Sequence, residues 1–529
     1  MTLAAVAALA CAGPGCAPEC SAPAGDARPN VLFVTIDTLR ADHVGAYGNT
    51  TVKTPHLDRL AGDGLVFERT WAASHVTLPS HVSLFSSLPV VEHGIVDHAS
   101  PVGRPVRMLP ALFHDAGYRT AAFASAVHLG PTRALGQLLA PGLDHFEVPR
   151  RASKPRLAEE TSDQLLQWIR GNCQAPFFAW VHYWDPHMPY TPRPPWNAAY
   201  YQGDPYATRH TSMDGVRLDW FDYDLDGFRR RLAHVAQPVR ALKHDLGASS
   251  REVKDLVLYP DRLDRHAADP ATRAALRARL RAIGDRIRPE LPFRRGLTDW
   301  LRGVRDVRFP VAQYAGEVSY TDAQLGRVLE GLSRLGIADR TVVVVTADHG
   351  ESLGEHGIWF NHIGLYDPVA RVPLLIYAPG RVPPGRRVDP ASGLDVAPTI
   401  LGLAGVVVPA EMRGRDLLRG AGPEVPIVTE AVRRSQTALV HHGWKLLRTE
   451  RTVEFGGATE RRAGTLELYD LTRDPTEQHD RADAEPDRAR ELAATLDAWL
   501  DAHRAAAPAG AAPVGADRMD DLRALGYVE

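Results

Sequence analysis

Two acidic residues stand directly after strongly apolar runs of the sequence. Asp37 follows the run 31–36, and Asp348 and His349 follow the run 341–346. Taken alone, an Asp at such a position is more often a helix cap or a turn former. Two carboxylates and one imidazole brought to one edge of a sheet would instead form an oxygen-rich site for a divalent metal, with one nitrogen ligand.

Thr77 is the candidate nucleophile or anion-binding residue. It opens the segment Thr77-Leu78-Pro79-Ser80-His81, which leads into a predicted helix, so we expect Thr77 at the N-cap. A hydroxyl at the positive end of a helix, beside unpaired backbone N–H groups, is suited to a tetrahedral anion. From local sequence alone, a Thr that only caps its helix is the simpler interpretation.

The apolar runs before these residues predict the elements that position them. Runs 31–36 and 341–346, with a third at 178–181 that leads to His182 and His187, are typical of buried parallel strands. Ligands of parallel sheets bind beyond the strand carboxyl ends, so we expect all three polar clusters in one crevice. We interpret His182 itself as a structural residue.

Composition bounds the class of protein. The chain has 529 residues, of which 44% are hydrophobic and 24% charged, which excludes collagen, coiled coil and full disorder. This length predicts one large α/β domain with appendages, or two domains. The net charge of −3 gives no argument for a nucleic-acid partner, and we expect none.

The four cysteines do not predict a disulfide framework. Cys11, Cys16 and Cys20 crowd the N-terminus and only Cys173 lies in the body of the chain. Met1 to Ala10 is an Ala-rich apolar stretch before Cys11, which resembles a bacterial lipoprotein signal without its usual basic residues. We therefore predict a location in the periplasm or cell envelope, with an N-terminal lipid anchor on Cys11; a disordered tail is the alternative.

Strands and helices alternate over most of the chain. A leader and tether are expected over 1–29, and an α/β domain over 28–410 that includes a helix with apolar spacing from 311 to 332. Within that domain, 208–310 carries 22 Lys or Arg against 15 Asp or Glu. We predict a helical basic insertion there, either a lid for an anionic substrate or a solvated Arg-rich surface.

The pattern changes after residue 410. Short strands are predicted over 425–429, 438–441, 445–448 and 465–469, followed by a helix over 485–503. We therefore expect a smaller C-terminal α+β subdomain over 411–504. Residues 505–529 form an Ala/Pro/Gly linker and a short tail.

These motifs together resemble the sulfatase family of the alkaline phosphatase superfamily, over nearly the whole chain outside the leader and the insertion. The resemblance implies an alkaline-phosphatase-like, largely parallel central sheet flanked by helices. The matching segments are Asn30 to His43, Pro55 to Ala61, Thr77 to His81, Asp185 to Tyr190, Thr346 to Glu351, Asn361-His362, Arg371 to Leu374, Asp395 to Thr399, Leu468 to Leu471 and Asp474-Pro475.

The resemblance also implies roles for particular residues. It places one divalent ion on Asp37, Asp348, His349 and Thr77, and puts His187 and His362 around the substrate. The ion is calcium in the family; Thr38, which stands where many members have a second metal-binding Asp, leaves manganese or zinc open.

Two further histidines occupy motif positions. By the same resemblance, His81 replaces the Arg that commonly follows the nucleophile, and His128 stands where a substrate-contacting His is usual. Ala126 replaces the Lys expected two residues before it. We interpret Asp42 and Glu351 as capping residues or as supports of the metal ligands.

Thr77 is the main departure from the family. Sulfatases of known mechanism convert a Cys or Ser at this position into formylglycine, and a Thr cannot become an aldehyde. A Thr nucleophile resembles instead the phosphodiesterases and phosphotransferases of the superfamily, which form a phospho-Thr intermediate. We therefore predict a metal-dependent hydrolase of sulfuric or phosphoric esters with Thr77 as nucleophile.

Two alternative functions stay open. One is a transferase of phosphoryl-linked head groups, although such enzymes usually carry several transmembrane helices, and no later run reaches the ~20 apolar residues of one span. The other is a non-catalytic anion-binding protein. The expected partner is an anionic ester: a sulfated or phosphorylated glycan, a lipid head group or a small molecule.

Overall fold

The computed structural model describes residue 20 and residues 27–98, 100–103, 105–149, 155–216, 303–420, 424–455 and 459–504, with isolated positions between 244 and 301. These residues fall into two compact units. The larger unit lies before Gly203 and after Phe309, and the smaller one lies between them.

A nine-stranded sheet organises the larger unit, in the order β10-β2-β9-β6-β1-β5-β3-β4, with β11 also paired to β2. All its pairings are parallel except the two made by β9, with β2 and β6. The strands are β1 (Asn30–Ile36), β2 (Leu65–Trp71), β3 (Arg119–Ala124), β4 (His145–Glu147), β5 (Phe177–Tyr183), β6 (Thr341–Thr346), β9 (Arg371–Tyr377), β10 (Gly385–Arg387) and β11 (Ala391–Ser392). The largely parallel central sheet expected from the sequence is confirmed.

The central strands of this sheet are buried, because helices cover both faces of the sheet. The helices are α1 (Pro55–Gly62), α2 (Thr77–Ser86), α3 (Val90–His93), α4 (Leu109–Asp115), α5 (Ala134–Leu139), α6 (Ala158–Asn172), α7 (Arg308–Arg334), α8 (Asp367–Ala370) and α9 (Val396–Ala404). The first of these helices ends at Gly62, and β2 begins three residues later at Leu65.

The central strands bring the predicted site residues to one edge. β1 pairs in parallel with β6 on one side and β5 on the other, with Thr35 beside both Thr346 and His182. The three strands therefore end together, and Asp37 and Asp348 follow at the same edge. After β6 and Asp348, β7 (Ser352–Leu353) and β8 (Trp359–Asn361) form a small antiparallel hairpin.

A C-terminal subdomain follows the large sheet. Its antiparallel sheet has the order β12-β13-β14-β17, and α10 (Pro486–Arg504) packs on one face through Leu492, Leu496 and Leu500. The strands are β12 (Ile427–Glu430), β13 (Gln436–His441), β14 (Trp444–Thr449) and β17 (Leu466–Asp470), with the separate hairpin β15 (Val453–Phe455) and β16 (Thr459–Arg461). The expected antiparallel subdomain with a terminal helix is confirmed.

Two of the cysteines form a bond that the sequence did not predict. Cys20 and Cys173 form a disulfide across a separation of 153 residues. Both residues are buried, Cys173 directly after α6. Spacing along the chain could not reveal the pair, because only the fold brings the end of α6 beside the segment that precedes β1.

Other expectations fall outside the described residues. These are the leader apart from residue 20 and residues 27–29, the linker and tail over 505–529, and most of the basic insertion. The described part of the smaller unit is held by backbone hydrogen bonds such as Arg305 N to Pro205 O at 2.8 Å. None of the described helices has the length and apolar character needed to cross a membrane.

Candidate active site

Three metal-ligand side chains meet beyond the ends of β1 and β6. Nε2 of His349 lies 3.8 Å from Oδ1 of Asp37 and 3.4 Å from Oδ2 of Asp348, and the three ligand atoms lie within 4.8 Å of one another. All three residues are fully buried. The structure thus brings Asp37 together with the adjacent pair Asp348 and His349, which follow it by more than three hundred positions in the sequence.

The donor atoms of this group fit a divalent cation. Among the described residues, neither carboxylate oxygen of Asp37 nor Oδ2 of Asp348 accepts a hydrogen bond. Burial raises the pKa of both carboxyls, that of Asp348 to about 6, and the charge of Asp348 adds to the increase at Asp37. Buried carboxylate oxygens that accept no hydrogen bond are costly unless a cation neutralises them.

The tautomer of His349 suits the same role. Its Nδ1 lies 3.0 Å from the carbonyl oxygen of Gly350, which can only accept, so Nδ1 carries the proton. Burial lowers the pKa of His349 to about 4. The lone pair of Nε2 is therefore directed at the two carboxylates, as a metal-ligating imidazole requires.

Thr77 faces this group rather than capping its own helix. The helix α2 begins at Thr77, its N-cap is Val76, and no side chain caps it. Thr77 Oγ1 lies 3.3 Å from Nε2 of His349. The expected N-cap position is therefore wrong by one residue: Thr77 is already helical, and its hydroxyl is free to point across the crevice.

His362 and His187 extend the site away from the acidic pair. The ring centroid of His362 lies 4.4 Å from that of His349 and 5.6 Å from that of His187. Each ring has Nδ1 on a backbone carbonyl, His362 on His75 at 2.8 Å and His187 on Met188 at 2.7 Å. Burial lowers the pKa of both, that of His187 to about 3, so both are neutral with a lone pair on Nε2.

The other two predicted histidines have different surroundings. His81 uses both ring nitrogens within the protein, Nδ1 on Thr77 O at 2.7 Å and Nε2 on Thr35 Oγ1 at 3.0 Å. It thereby supports the first turn of α2 and leaves neither nitrogen for a substrate. His128 packs with its ring against Trp184, which in turn packs on His187 at a centroid distance of 3.9 Å.

The segment that carries His187 is fixed at both ends by α7. Thr321 Oγ1 donates to the carbonyl of Asp185 at 3.1 Å, and Thr191 N donates to Oε1 of Glu317 at 2.7 Å. Glu317 and Thr321 are four residues apart, on one face of the helix. His187 is therefore held from α7, an element far from it in sequence.

The loop after β1 is fixed in a similar way. Tyr314 on α7 donates to the carbonyl of Thr38 at 2.7 Å and accepts from Arg40 N at 3.1 Å. Arg40 pairs with Asp42 through two hydrogen bonds and donates to the carbonyl of Glu351 at 3.0 Å. Thr38, at a φ of 55°, lies in the left-handed region that a β-branched residue rarely adopts.

Sequence reasoning missed two residues of the site. Nε2 of His182 lies 3.4 Å from Oδ2 of Asp37, and His75 exchanges side-chain to backbone contacts with His362 at 2.6 and 2.8 Å. A polar residue near the end of an otherwise apolar buried strand was the available signal for His182. His75 carried none, because its contact depends on a loop 287 residues away.

Comparison with known proteins decides the family. The sequence profile of the family described as Sulfatase matches residues 29–406, well over half of the chain. The chain belongs to the sulfatase family. A second profile, N-sulphoglucosamine sulphohydrolase, C-terminal, matches residues 354–506 of this sulfatase-family protein.

Similar proteins agree with this assignment. The chain is 24% identical over 429 residues to an N-acetylglucosamine-6-O-sulfatase of Bacteroides thetaiotaomicron, covering 74% of this chain and 70% of that protein. This chain also resembles the solved structure of a protein in complex with its substrate D-glucosamine-2-N,6-O-disulfate. The TM-score is 0.61 at 20% sequence identity, and the match covers 90% of this chain and 98% of the other.

A second solved structure widens the range of chemistry among the neighbours. The phosphonate monoester hydrolase of Agrobacterium radiobacter has a TM-score of 0.60 at 21% identity, covering 90% of this chain and 96% of that one. At these identities the two structures establish the fold. Family and fold together identify the chain as a sulfatase-like ester hydrolase.

Proposed function

We propose that this protein is a metal-dependent hydrolase of anionic sulfuric or phosphoric esters in which Thr77 is the nucleophile. The observation that carries the proposal is the 3.3 Å separation between Thr77 Oγ1 and Nε2 of His349, inside the buried group of Asp37 and Asp348. A Thr hydroxyl held beside three cation ligands is a group poised for activation rather than a structural cap.

A divalent cation bound by Asp37, Asp348 and His349 would supply Lewis-acid polarisation of the ester and a lower pKa for the Thr77 hydroxyl. The protein's own contribution is position. Thr77 sits on the first turn of α2, where the backbone N–H groups of Thr77 and Leu78 lack intrahelical acceptors. They favour the negative charge of a tetrahedral ester group.

The reaction divides into two displacements. In the first, Oγ1 of Thr77 loses its proton and bonds to the central sulfur or phosphorus atom, while the bond to the ester oxygen breaks and the alcohol leaves with one proton. In the second, water bonds to the same atom, the bond to Oγ1 breaks, and Thr77 regains a proton. The products are the free alcohol and an inorganic anion or monoester.

His187 and His362 are the proposed proton donors to the leaving alcohol. In the free protein each holds its Nδ1 proton on a backbone carbonyl and presents Nε2 as an acceptor. Donation from Nε2 therefore requires a second proton on the ring. A bound anionic ester stabilises that imidazolium, so substrate binding and proton uptake are coupled.

Phosphoric esters are the favoured substrates of the two classes, because of Thr77 itself. A Thr side chain cannot be oxidised to the formylglycine aldehyde on which known sulfatases depend, whereas an alkoxide can attack phosphorus directly. Similar proteins are named for sulfated glucosamines and for a phosphonate monoester. The proposed substrate is therefore a tetrahedral anionic ester, carried on a glycan, a lipid head group or a small molecule.

A substrate panel tests the proposal. Purified protein, stripped of metal and then loaded with Ca²⁺, Mn²⁺ or Zn²⁺, is offered an aryl sulfate, an aryl phosphate monoester and an aryl phosphodiester. We expect turnover of the phosphodiester, lowered at least about 1000-fold in Thr77→Val, which keeps the shape and removes the hydroxyl. Thr50→Val, at an exposed position, is the matched control. Turnover that survives Thr77→Val would show that another group is the nucleophile.

A further inference from the structure

A second group of metal-ligand side chains lies in the C-terminal subdomain, apart from the candidate active site. Among the described residues, Glu424, His441 and His442 bring three ligand atoms within 4.8 Å of one another. His441 ends β13, His442 and Gly443 form the turn to β14, and Glu424 precedes β12. None of these elements contributes to the site around Thr77.

The spacing of the three side chains matches one small ion. Nδ1 of His442 lies 3.3 Å from Oε2 of Glu424, and Nδ1 of His441 lies 4.0 Å from Oε1 of the same carboxylate. Ligands bound tetrahedrally at ~2.0–2.2 Å lie about 3.4 Å apart. The present separations reach that value with small rotations of the side chains.

The backbone already holds this arrangement. His442 N donates to Oε1 of Glu424 at 2.6 Å, which fixes the carboxylate against the turn. His442 and Gly443 have φ values of 50° and 78°, as a two-residue hairpin turn of type I′ requires. Asn, Asp or Gly usually occupies the first of these positions, so the imidazole of His442 stands where a turn-forming side chain is expected.

The polar atoms of the group also call for a ligand. Nδ1 of His441 is buried and has no hydrogen-bond partner among the described residues. The side chain of His441 is 17% exposed and that of Glu424 is 30% exposed, whereas His442 is 65% exposed, so the group is open on one side. An ion bound there would keep water as a further ligand.

We propose that Glu424, His441 and His442 form a second metal site, which binds a borderline divalent ion of the zinc class. Two imidazole nitrogens and one carboxylate oxygen are ligands that Zn²⁺ prefers, and they disfavour Ca²⁺ and Mg²⁺, which take oxygen. The bound ion joins the segment before β12 to the β13–β14 turn. It therefore stabilises the C-terminal subdomain and takes no part in ester hydrolysis.

Isothermal titration of the metal-free full chain with Zn²⁺ tests the proposal. The Asp37→Asn, Asp348→Asn background removes the carboxylates of the first site, and alkylation blocks the thiols of Cys11 and Cys16. We expect about one equivalent of Zn²⁺ to bind in this background. Mutation of a residue that only hydrogen-bonds to a metal ligand typically lowers metal affinity ~10–100-fold. His442 is proposed as a ligand itself, so His442→Ala should weaken Zn²⁺ binding by more than that.

His479→Ala is the matched control, because His479 is exposed and faces Asp474 at 3.5 Å, with no third metal ligand beside them among the described residues. It should leave the bound equivalent unchanged. Absence of the equivalent in the background chain, or an equivalent unaffected by His442→Ala, would overturn the proposal and leave a plain contact between His442 and Glu424. Failure at the active site gives a different result: the wild-type chain would bind a single equivalent, and His442→Ala would remove it.

Discussion

Asp348→Asn should make the metal-free protein more stable while destroying its capacity to be stabilised by a metal. The carboxyl of Asp348 is fully buried and has a pKa of about 6, raised mainly by burial. Its Oδ1 accepts from Thr38 N and His349 N at 3.4 and 2.9 Å, and an Asn oxygen can accept both. The Asn amide can in turn donate to Nε2 of His349, which lies 3.4 Å from Oδ2.

The magnitude follows from the pKa of Asp348. An unfolded Asp titrates near 3.9, so the folded chain holds this proton more tightly, by about two pKa units or about 3 kcal/mol. Ionisation of the buried Asp348 carboxyl therefore destabilises the folded chain. This destabilisation is absent below about pH 4, grows as the pH rises from 4 to 6, and is complete above 6. At pH 7 the substitution should therefore raise the free energy of unfolding of the metal-free chain by up to about 3 kcal/mol.

Urea unfolding of EDTA-treated protein at pH 7 and pH 4.5 measures this difference. The stability gain of Asp348→Asn should be large at pH 7 and small at pH 4.5. In a His442→Ala background, which lacks a ligand of the second metal site, added Mn²⁺ or Zn²⁺ should stabilise the chain with Asp348 and leave the Asp348→Asn chain unchanged, which reverses their order. Asp163→Asn, at an exposed carboxylate paired with Arg327, is the control and should stay within about 0.5 kcal/mol.

A metal-free Asp348→Asn variant that is less stable than the wild type at pH 7 would contradict this prediction. In that case the buried carboxylate would already be satisfied by the protein alone, and no cation would be needed to balance the charge of Asp37 and Asp348. Equal stabilisation of both chains by metal would contradict the ligand assignment separately, because it would place the stabilising ion elsewhere.

Three further predictions concern the supports of the site and the leader. Glu317→Ala removes the acceptor for Thr191 N, so the segment that carries His187 should shift and kcat/KM should fall about tenfold or more in a steady-state assay. Glu317→Gln keeps an oxygen acceptor and should retain most of the wild-type kcat/KM in the same assay. Cys173→Ser should lower the free energy of unfolding by about 2–5 kcal/mol, and in the denatured wild type Cys20 and Cys173 should react with an alkylating agent only after reduction; reaction without reductant would exclude the disulfide. Cys11→Ala should move the protein from the detergent phase to the aqueous phase in a phase-separation assay, whereas unchanged partition would argue against a lipid on this residue.

The central sheet could be predicted because its strands are uniform in sequence. The run 341–346 matches β6 at both ends, and the run 31–36 misses only the first residue of β1. The antiparallel direction of β9 could not be predicted, because nothing in an apolar run records the direction of its neighbour. In the C-terminal subdomain, alternating shorter strands were located within two residues.

The residues of the candidate site could be predicted where they follow the end of a strand. They could not be predicted where their position depends on packing between segments distant in sequence. Asp37, Asp348 and His349 were found from their positions after β1 and β6. His182 was interpreted as structural, and its contact with Asp37 at 3.4 Å depends on the pairing of β1 with β5, which the sequence of either strand alone does not reveal. The hydrogen bonds that fix His187 from Glu317 could not be inferred at all, since they join segments separated by more than a hundred residues.

The most direct test of the account is a search for a covalent intermediate on Thr77. Protein loaded with Mn²⁺ or Zn²⁺ is mixed with an activated aryl phosphodiester, quenched in acid within the first turnover, and analysed by intact mass and peptide mapping. If Thr77 is the nucleophile, one phosphoryl-linked adduct should form on Thr77 and be absent from Thr77→Val. Full turnover with no adduct on Thr77, or an adduct on any other residue, would contradict it.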